Sequence, residues 1–152
     1  LSSSSAASDV YKRQGLFLVA GREVLLQHRA AWTNHGNTWG IPGGARDLQE
    51  SPTQAALRET HEECAIAPAD VEVLETQVTA GPYPPAGDLP GEWTYTTVLA
   101  RTRSGLRLPT TANEESHELR WVGLDEVEKL PLIAPFRHAF PALRRRVEKL
   151  YR

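Results

Sequence analysis

Glu59, Glu62 and Glu63 are spaced i, i+3 and i+4, so a helix through them gathers three carboxylates on one face. Like charges at that spacing repel, and the cluster costs helix stability unless a cation or a basic partner neutralises it. Carboxylate oxygens are hard ligands that suit magnesium or manganese. For three glutamates alone, a solvated acidic face is an equal reading. The flanking residues favour the metal. Glu50 lies just ahead of the segment and Arg58 sits within it, where it can pair with a carboxylate. Gly43 and Gly44 form a loop whose backbone carbonyls can come close to the same ion.

The elements that must position these groups are legible around them. Ser51 can cap a helix, Pro52 can take its first position and Gln54 can close a capping box, which predicts a helix from Pro52 to about Cys64. Upstream, the glycines and proline of residues 39–44 predict a tight loop. Residues 15–20 and 24–28 are apolar runs around a Gly21-Arg22-Glu23 turn and predict a hairpin. Further strands are expected over 71–78, 93–103 and 119–122, with a Pro/Gly-rich lid or ordered loop over 81–91 and a short helical turn over 124–130. Phe136, Ala139, Phe140, Leu143, Val147 and Leu150 recur at helical spacing and predict an amphipathic C-terminal helix. This periodicity implies a mixed α/β domain over 15–152. Residues 1–14 are rich in Ser and Ala and are expected to lie outside the fold, as a disordered leader or an artificial or assembly scar.

Gly44, five residues, Glu50, seven residues and then Arg58-Glu59-Thr60-His61-Glu62-Glu63-Cys64-Ala65-Ile66, preceded by Gly40-Ile41-Pro42-Gly43, together resemble the signature of the Nudix hydrolase family, of the MutT-like type. The resemblance implies an alpha/beta/alpha sandwich around a mixed central sheet, a loop-helix-loop metal site, and hydrolysis of a nucleoside diphosphate linked to another group. Thr60 stands where the family usually has an aliphatic residue and Ala65 where it usually has glycine, which puts the end of the helix in question.

Carried onto this chain, the resemblance implies Mg2+ (or Mn2+) held chiefly by Glu59 and Glu63, with Glu62 and the Gly44 carbonyl assisting. Arg58 is then a clamp orienting Glu59 and Glu50, and Gly43 and Glu50 are structural members of the motif. The general base is Glu63 itself or a carboxylate from the loop before the late strand, where Glu118 is favoured, then Glu115, with Glu114 alongside. Solvated loop acids are an equal reading of these residues. Arg29 and Arg46 are candidates for phosphate contact, and Trp32, Tyr83, Trp93 and Tyr95 offer surfaces for stacking a base, although core packing explains Trp93 or Tyr95 equally well. The five histidines show no metal-ligand spacing with Cys64, which reads as a small buried hydrophobe.

Composition bounds these readings. One cysteine excludes an internal disulfide and a four-thiolate zinc site, and the longest apolar run, Leu16 to Ala20, is far too short to cross a bilayer, so no membrane partner and a cytoplasmic location are expected. The net charge of −2 gives no global attraction for nucleic acid. It averages a net −3 over residues 44–66 with a net +5 over residues 137–152, the latter read as the solvated face of the last helix in preference to a polyphosphate or nucleic-acid patch. The expected activity is metal-dependent pyrophosphohydrolysis of a nucleoside triphosphate or related diphosphate by water attack on phosphorus. The alternatives are a nucleotide-sugar, dinucleotide or RNA-cap hydrolase, or a non-catalytic nucleotide-binding module. Edge strands and the aromatic last helix leave room for a homodimer.

Overall fold

Leu16 to Ala20 and Val24 to Leu26 carry apolar side chains pointing both ways, because each face of the sheet they enter is covered by a helix. The computed structural model describes residues 11–33, 35–47, 49–83 and 93–150. In chain order it contains β1 (Tyr11–Ala20), β2 (Glu23–Arg29), β3 (Trp39–Gly40), β4 (Gly43–Ala45), α1 (Pro52–Cys64), β5 (Val71–Tyr83), β6 (Trp93–Thr102), β7 (Ser116–Gly123) and α2 (Ala134–Leu150). Single 3-10 turns lie at Pro68–Asp70 and Val127–Lys129. The sheet runs β3-β2-β1-β6-β5, with β4 also on β1 and β7 also on β2. It is mixed: β1 and β6 are parallel and the other pairs antiparallel. On one face Leu16, Leu18 and Leu25 pack with Ala56 and Cys64 of α1. On the other, Phe17, Val24 and Leu26 pack with Phe136, Phe140 and Leu143 of α2. The expected alpha/beta/alpha sandwich is thus observed.

One feature of the sheet positions the acidic helix face and the backbone beside it. β1 and β2 pair only beside their turn, at Val19 with Val24 and Ala20 with Glu23. Beyond that they splay, and the segment expected as a tight loop fills the gap with two short strands, β3 on β2 and β4 on β1. The fit demands glycine. A Cβ on Gly43 would stand 2.1 Å from the Gln14 carbonyl oxygen.

The beginning of the fold differs from expectation. Tyr11 to Gln14 are strand residues, paired with Trp93 to Thr96 of β6, and Arg13 and Gln14 also face Ala45 and Gly44 of β4. Backbone pairing on both sides orders a segment that polar composition marked as lying outside the fold, and Gln14 is fully buried. Residues 1–10 and 84–92, the latter including most of the lid expected over 81–91, lie outside the described residues, while β5 continues to Tyr83.

Helix α1 starts as its sequence predicts. Ser51 Oγ accepts from the Gln54 amide at 3.1 Å, and Gln54 Oε1 accepts from the Ser51 amide at 2.9 Å. Thr60, the polar departure from the motif, is buried but donates to the Ala56 carbonyl at 2.8 Å. Ala65, the other departure, still ends the helix in the left-handed conformation glycine would adopt, at φ 61° and ψ 34°. That conformation costs a non-glycine residue roughly 1–2 kcal/mol, of which glycine's greater unfolded-chain freedom offsets about 0.5–1. Ala65→Gly is therefore expected to stabilise the protein by about 0.5–1 kcal/mol, read as a raised midpoint in urea unfolding; a lowered midpoint would contradict this account of the cap.

Candidate active site

Helix α1 presents its acidic face to the split between β1 and β2. Glu59, Glu62 and Glu63 line a polar cleft of about 360 Å³ together with Gln27, Gly44 and Glu115. Glu63 is only 3% exposed. Its Oε1 accepts from the Gly43 amide at 3.2 Å and from Gln27 Nε2 at 3.4 Å. Neither donor is charged, and the carboxyl is pushed up to about 9, first by burial, then by its hydrogen bond with Glu59 and the charges of Glu59 and Glu115.

Arg58 organises the rest of the acidic face. Its guanidinium grips Glu50 bidentately at 2.7 and 2.9 Å, and its remaining terminal nitrogen reaches Glu59 at 3.2 Å and Glu62 at 3.4 Å. The grip of Arg58, aided by the Asp47 amide, holds the Glu50 carboxyl down to about 2. Glu59 in turn lies against Gly44: a Cβ there would meet Glu59 Oε1 at 2.7 Å. The Gly44 carbonyl accepts from Gln14 Nε2 at 2.8 Å, which fixes its direction.

This donor set fits a hard divalent cation. It consists of oxygens, it carries excess negative charge, and it includes a buried carboxyl whose ionised form has no cationic hydrogen-bond donor among those just described. Among the described residues no three His, Cys, Asp or Glu side chains converge closely enough to hold a metal ion between them. Arg58 draws Glu59 and Glu62 toward itself, and the repulsion between Glu59 and Glu63 opposes closer convergence.

A second cavity of about 690 Å³ adjoins the cleft on the α2 side, with Ile41, Trp93, Tyr95, Thr97 and Phe136 among its walls. Arg13, Arg29, Gly43 and Gly44 line both spaces. An apolar, aromatic chamber therefore meets a carboxylate cleft across a wall carrying two arginines.

The profile described as the NUDIX domain matches residues 12–143. The chain belongs to the Nudix family. It is 47% identical over 139 residues to a Mycobacterium tuberculosis protein provisionally named 8-oxo-dGTP diphosphatase 3, a match covering 88% of this chain and 62% of that one. It is 41% identical over 128 residues to a Bifidobacterium longum nucleoside triphosphate pyrophosphatase/Nudix hydrolase fusion protein, covering 84% of this chain and 25% of the fusion. This Nudix chain thus spans less than two thirds of these curated relatives' length. The crystal structure of a Nudix hydrolase from M. smegmatis, RenU, superposes with a TM-score of 0.81 at 42% identity, covering 91% of this chain and 86% of that one.

Within this Nudix fold the expected residues divide. Glu59, Glu62, Glu63, Gly43, Gly44 and Glu115 come together at the cleft, with Arg58 and Glu50 behind them. Glu118 does not join them. Its β7 neighbour Leu119 pairs with Gln27, whose side chain reaches Glu63, whereas Glu118 pairs with His28 and points to the opposite face. There it is bound to Arg120 at 3.0 and 3.1 Å, and Arg120 lies over the Trp39 ring in the α2-side core. The preference for Glu118 over Glu115 as a cleft residue is therefore reversed by strand parity. Arg29 lies on the shared wall, but Arg46 lines neither space and reaches Gln14 Oε1 at 3.4 Å. Trp93 and Tyr95 line the larger cavity. Trp32 does not, being 69% exposed with its indole donating to the Glu114 carbonyl. The Tyr83 side chain lies outside the described residues.

Sequence reasoning missed Gln27, Gln14, Arg13 and Phe136. Gln27 left a signal, a buried polar residue following the apolar run of β2, whereas Arg13 and Gln14 sat in a segment set aside. The cations of α2 are largely committed within the fold. Arg146 grips Glu75 at 2.7 Å through two nitrogens, Arg144 pairs with Asp125, and Arg137 donates to the Glu128 and Leu130 carbonyls. Cys64 is buried, which pushes its thiol up to about 12 and agrees with a packing role. Among the described residues no helix is long and apolar enough to cross a membrane.

Lysine at position 58 would keep a charge but lose the planar fork that holds Glu50 and Glu59 together. Arg58→Lys is expected to weaken Mn2+ binding about 10–100-fold in an electron paramagnetic resonance titration, with unchanged far-UV circular dichroism. Unaltered Mn2+ affinity would remove Arg58 from the positioning of the cleft.

Proposed function

We propose that this Nudix domain is a divalent-metal-dependent pyrophosphohydrolase acting on nucleoside triphosphates or closely related nucleoside diphosphate derivatives. The observation that carries the reading is the junction of the two spaces. A carboxylate cleft opens at Gly43 and Gly44 into an aromatic cavity large enough for a nucleoside, with Arg29 on the wall between them. A base against Trp93 and Tyr95 leads its phosphates past Arg29 toward Glu59 and Glu63. The committed cations of α2 give no support to an RNA substrate. The reading implies a cytoplasmic nucleotide pool as the source of substrate.

Glu59, Glu63 and the Gly44 carbonyl would hold Mg2+ or Mn2+, with Glu62 assisting. When bound, the cation offsets phosphate charge and lowers the pKa of the attacking water. Arg58 fixes the direction of Glu59 through its simultaneous hold on Glu50. Glu115, which lines the same cleft, would accept the proton that water loses as its oxygen bonds to phosphorus. The electron pair of the breaking P–O bond leaves with the departing phosphate group, and no covalent enzyme intermediate is required. Arg29 supplies positive charge where the polyphosphate crosses between cavities.

A panel of canonical and oxidised nucleoside triphosphates, nucleotide sugars and dinucleotides, incubated with Mg2+ or Mn2+, tests the reading. The provisional name of the M. tuberculosis relative makes 8-oxo-dGTP the first compound to try. Absence of turnover across the panel would sink the proposal. On the best substrate, Glu63→Gln should lower kcat at least about a hundredfold without unfolding the protein.

The two loop glutamates separate cleanly. Glu115→Gln should lower kcat at least about tenfold and flatten the acidic limb of the pH profile, whereas Glu118→Gln should stay within about twofold of the parent. The reverse ranking would restore Glu118 and remove Glu115 as the base.

A further inference from the structure

Among the described residues, Gln27 is the one neutral side chain of the cleft with hydrogen bonds to both of its walls. It is 3% exposed, and its amide nitrogen carries two hydrogens. One points to Glu63 Oε1 at 3.4 Å, on α1, and the other to Ser116 Oγ at 2.7 Å, at the start of β7. Ser116 directly follows Glu115, so Gln27 links the α1 carboxylate to the turn that carries the opposing one.

Register explains how Ser116 reaches that position. His28 of β2 pairs with Glu118 and Arg29 pairs with Ser116, so His117 is an extra residue and β7 bulges there. Regular alternation would put Ser116 on the same face as Glu118; the bulge reverses it toward Gln27. The turn before it is tied at several points. The Glu115 amide donates to Asn113 Oδ1 at 3.0 Å, the Ser116 amide to the Asn113 carbonyl at 3.2 Å, and the Glu115 carbonyl accepts from the Ala30 amide at 2.9 Å. The Gln27–Ser116 bond is the shortest of these ties and the one that continues to α1.

We propose that Gln27 is a positioning residue that fixes Glu63 and the Glu115 turn to one another across the cleft. Its catalytic consequence rests on the proposed function, whereas its structural consequence does not. An amide suits this task because it donates to both partners without adding a charge to a cleft already crowded with carboxylates. A carboxylate at position 27 would repel Glu63, and an apolar side chain would leave the Ser116 hydroxyl and the Glu63 oxygen without this donor.

Amide hydrogen exchange by NMR on the metal-free protein, together with turnover kinetics, tests the proposal on Gln27→Leu, Ser116→Ala and Ser116→Thr. Exchange at Glu115 and Ser116 is expected to rise at least about tenfold in the first two variants while amides in the middle of α1 stay near the parent, and Ser116→Thr, which keeps the hydroxyl, should restore protection. On a nucleotide substrate, kcat should fall about 10–100-fold with KM within about twofold, and the Gln27→Leu/Ser116→Ala double variant should be no slower than the slower single variant. If Gln27→Leu does not fold, Ser116→Ala against Ser116→Thr decides alone. Unchanged exchange at both amides in every folded variant, or losses in kcat that multiply in the double variant, would overturn the proposal. A protein that hydrolyses no nucleotide would defeat the proposed function yet leave the exchange result to decide the coupling.

Discussion

The contact on which the site depends is Glu63 buried beside Glu59. Two carboxylates at that proximity resist shared ionisation, and burial pushes the Glu63 carboxyl up to about 9. A divalent cation held by both would reverse that preference, since its charge favours both ionised forms at once. Much of the surrounding structure serves to hold this pair in place. Arg58 takes up charge on the Glu59 side while bound to Glu50, and the Gly43 amide and the Gln27 amide donate to Glu63 without neutralising it. A cluster stabilised fully by arginines would be a structural ion-pair network. Here the buried member is left for something else to neutralise.

The sheet makes that arrangement reachable. Had β1 and β2 paired along their whole length, no backbone could lie between them at the level of Glu63. Their early divergence admits β4, whose Gly43 and Gly44 bring a backbone amide against Glu63 and a Cα against Glu59. The same opening joins the carboxylate cleft to the aromatic cavity on the α2 side, so a single topological feature creates both the acidic wall and its access to a nucleoside-sized space.

Much of this was legible in the sequence because it is local. The capping box at Ser51 and Gln54, the gathering of Glu59, Glu62 and Glu63, and the pairing of Arg58 with Glu50 depend on residues at most eight positions apart, and each is found as expected. What was not legible depends on register and on distant neighbours. Glu118 and Glu115 are equally good acids by composition, and only the folded chain shows that one pairs with Arg120 on the α2-side face while the other lines the cleft. Tyr11 to Gln14 were set aside because polar residues give no apolar period, yet β4 and β6 order them by backbone pairing. Phe136 enters the nucleoside-sized cavity from a helix that begins seventy residues after α1 ends, a contact no local pattern reports.

In the proposed function the Glu59–Glu63 pair is a cation site facing a nucleoside chamber. A crystal structure with Mg2+ and a nucleoside triphosphate analogue whose α,β-bridging oxygen is replaced by methylene tests it most directly. Cation density is expected touching Glu59, Glu63, the Gly44 carbonyl and phosphate oxygens, with the base against Trp93 and Tyr95. An analogue bound elsewhere, with Glu59 and Glu63 still sharing their hydrogen bond and no cation between them, would contradict it.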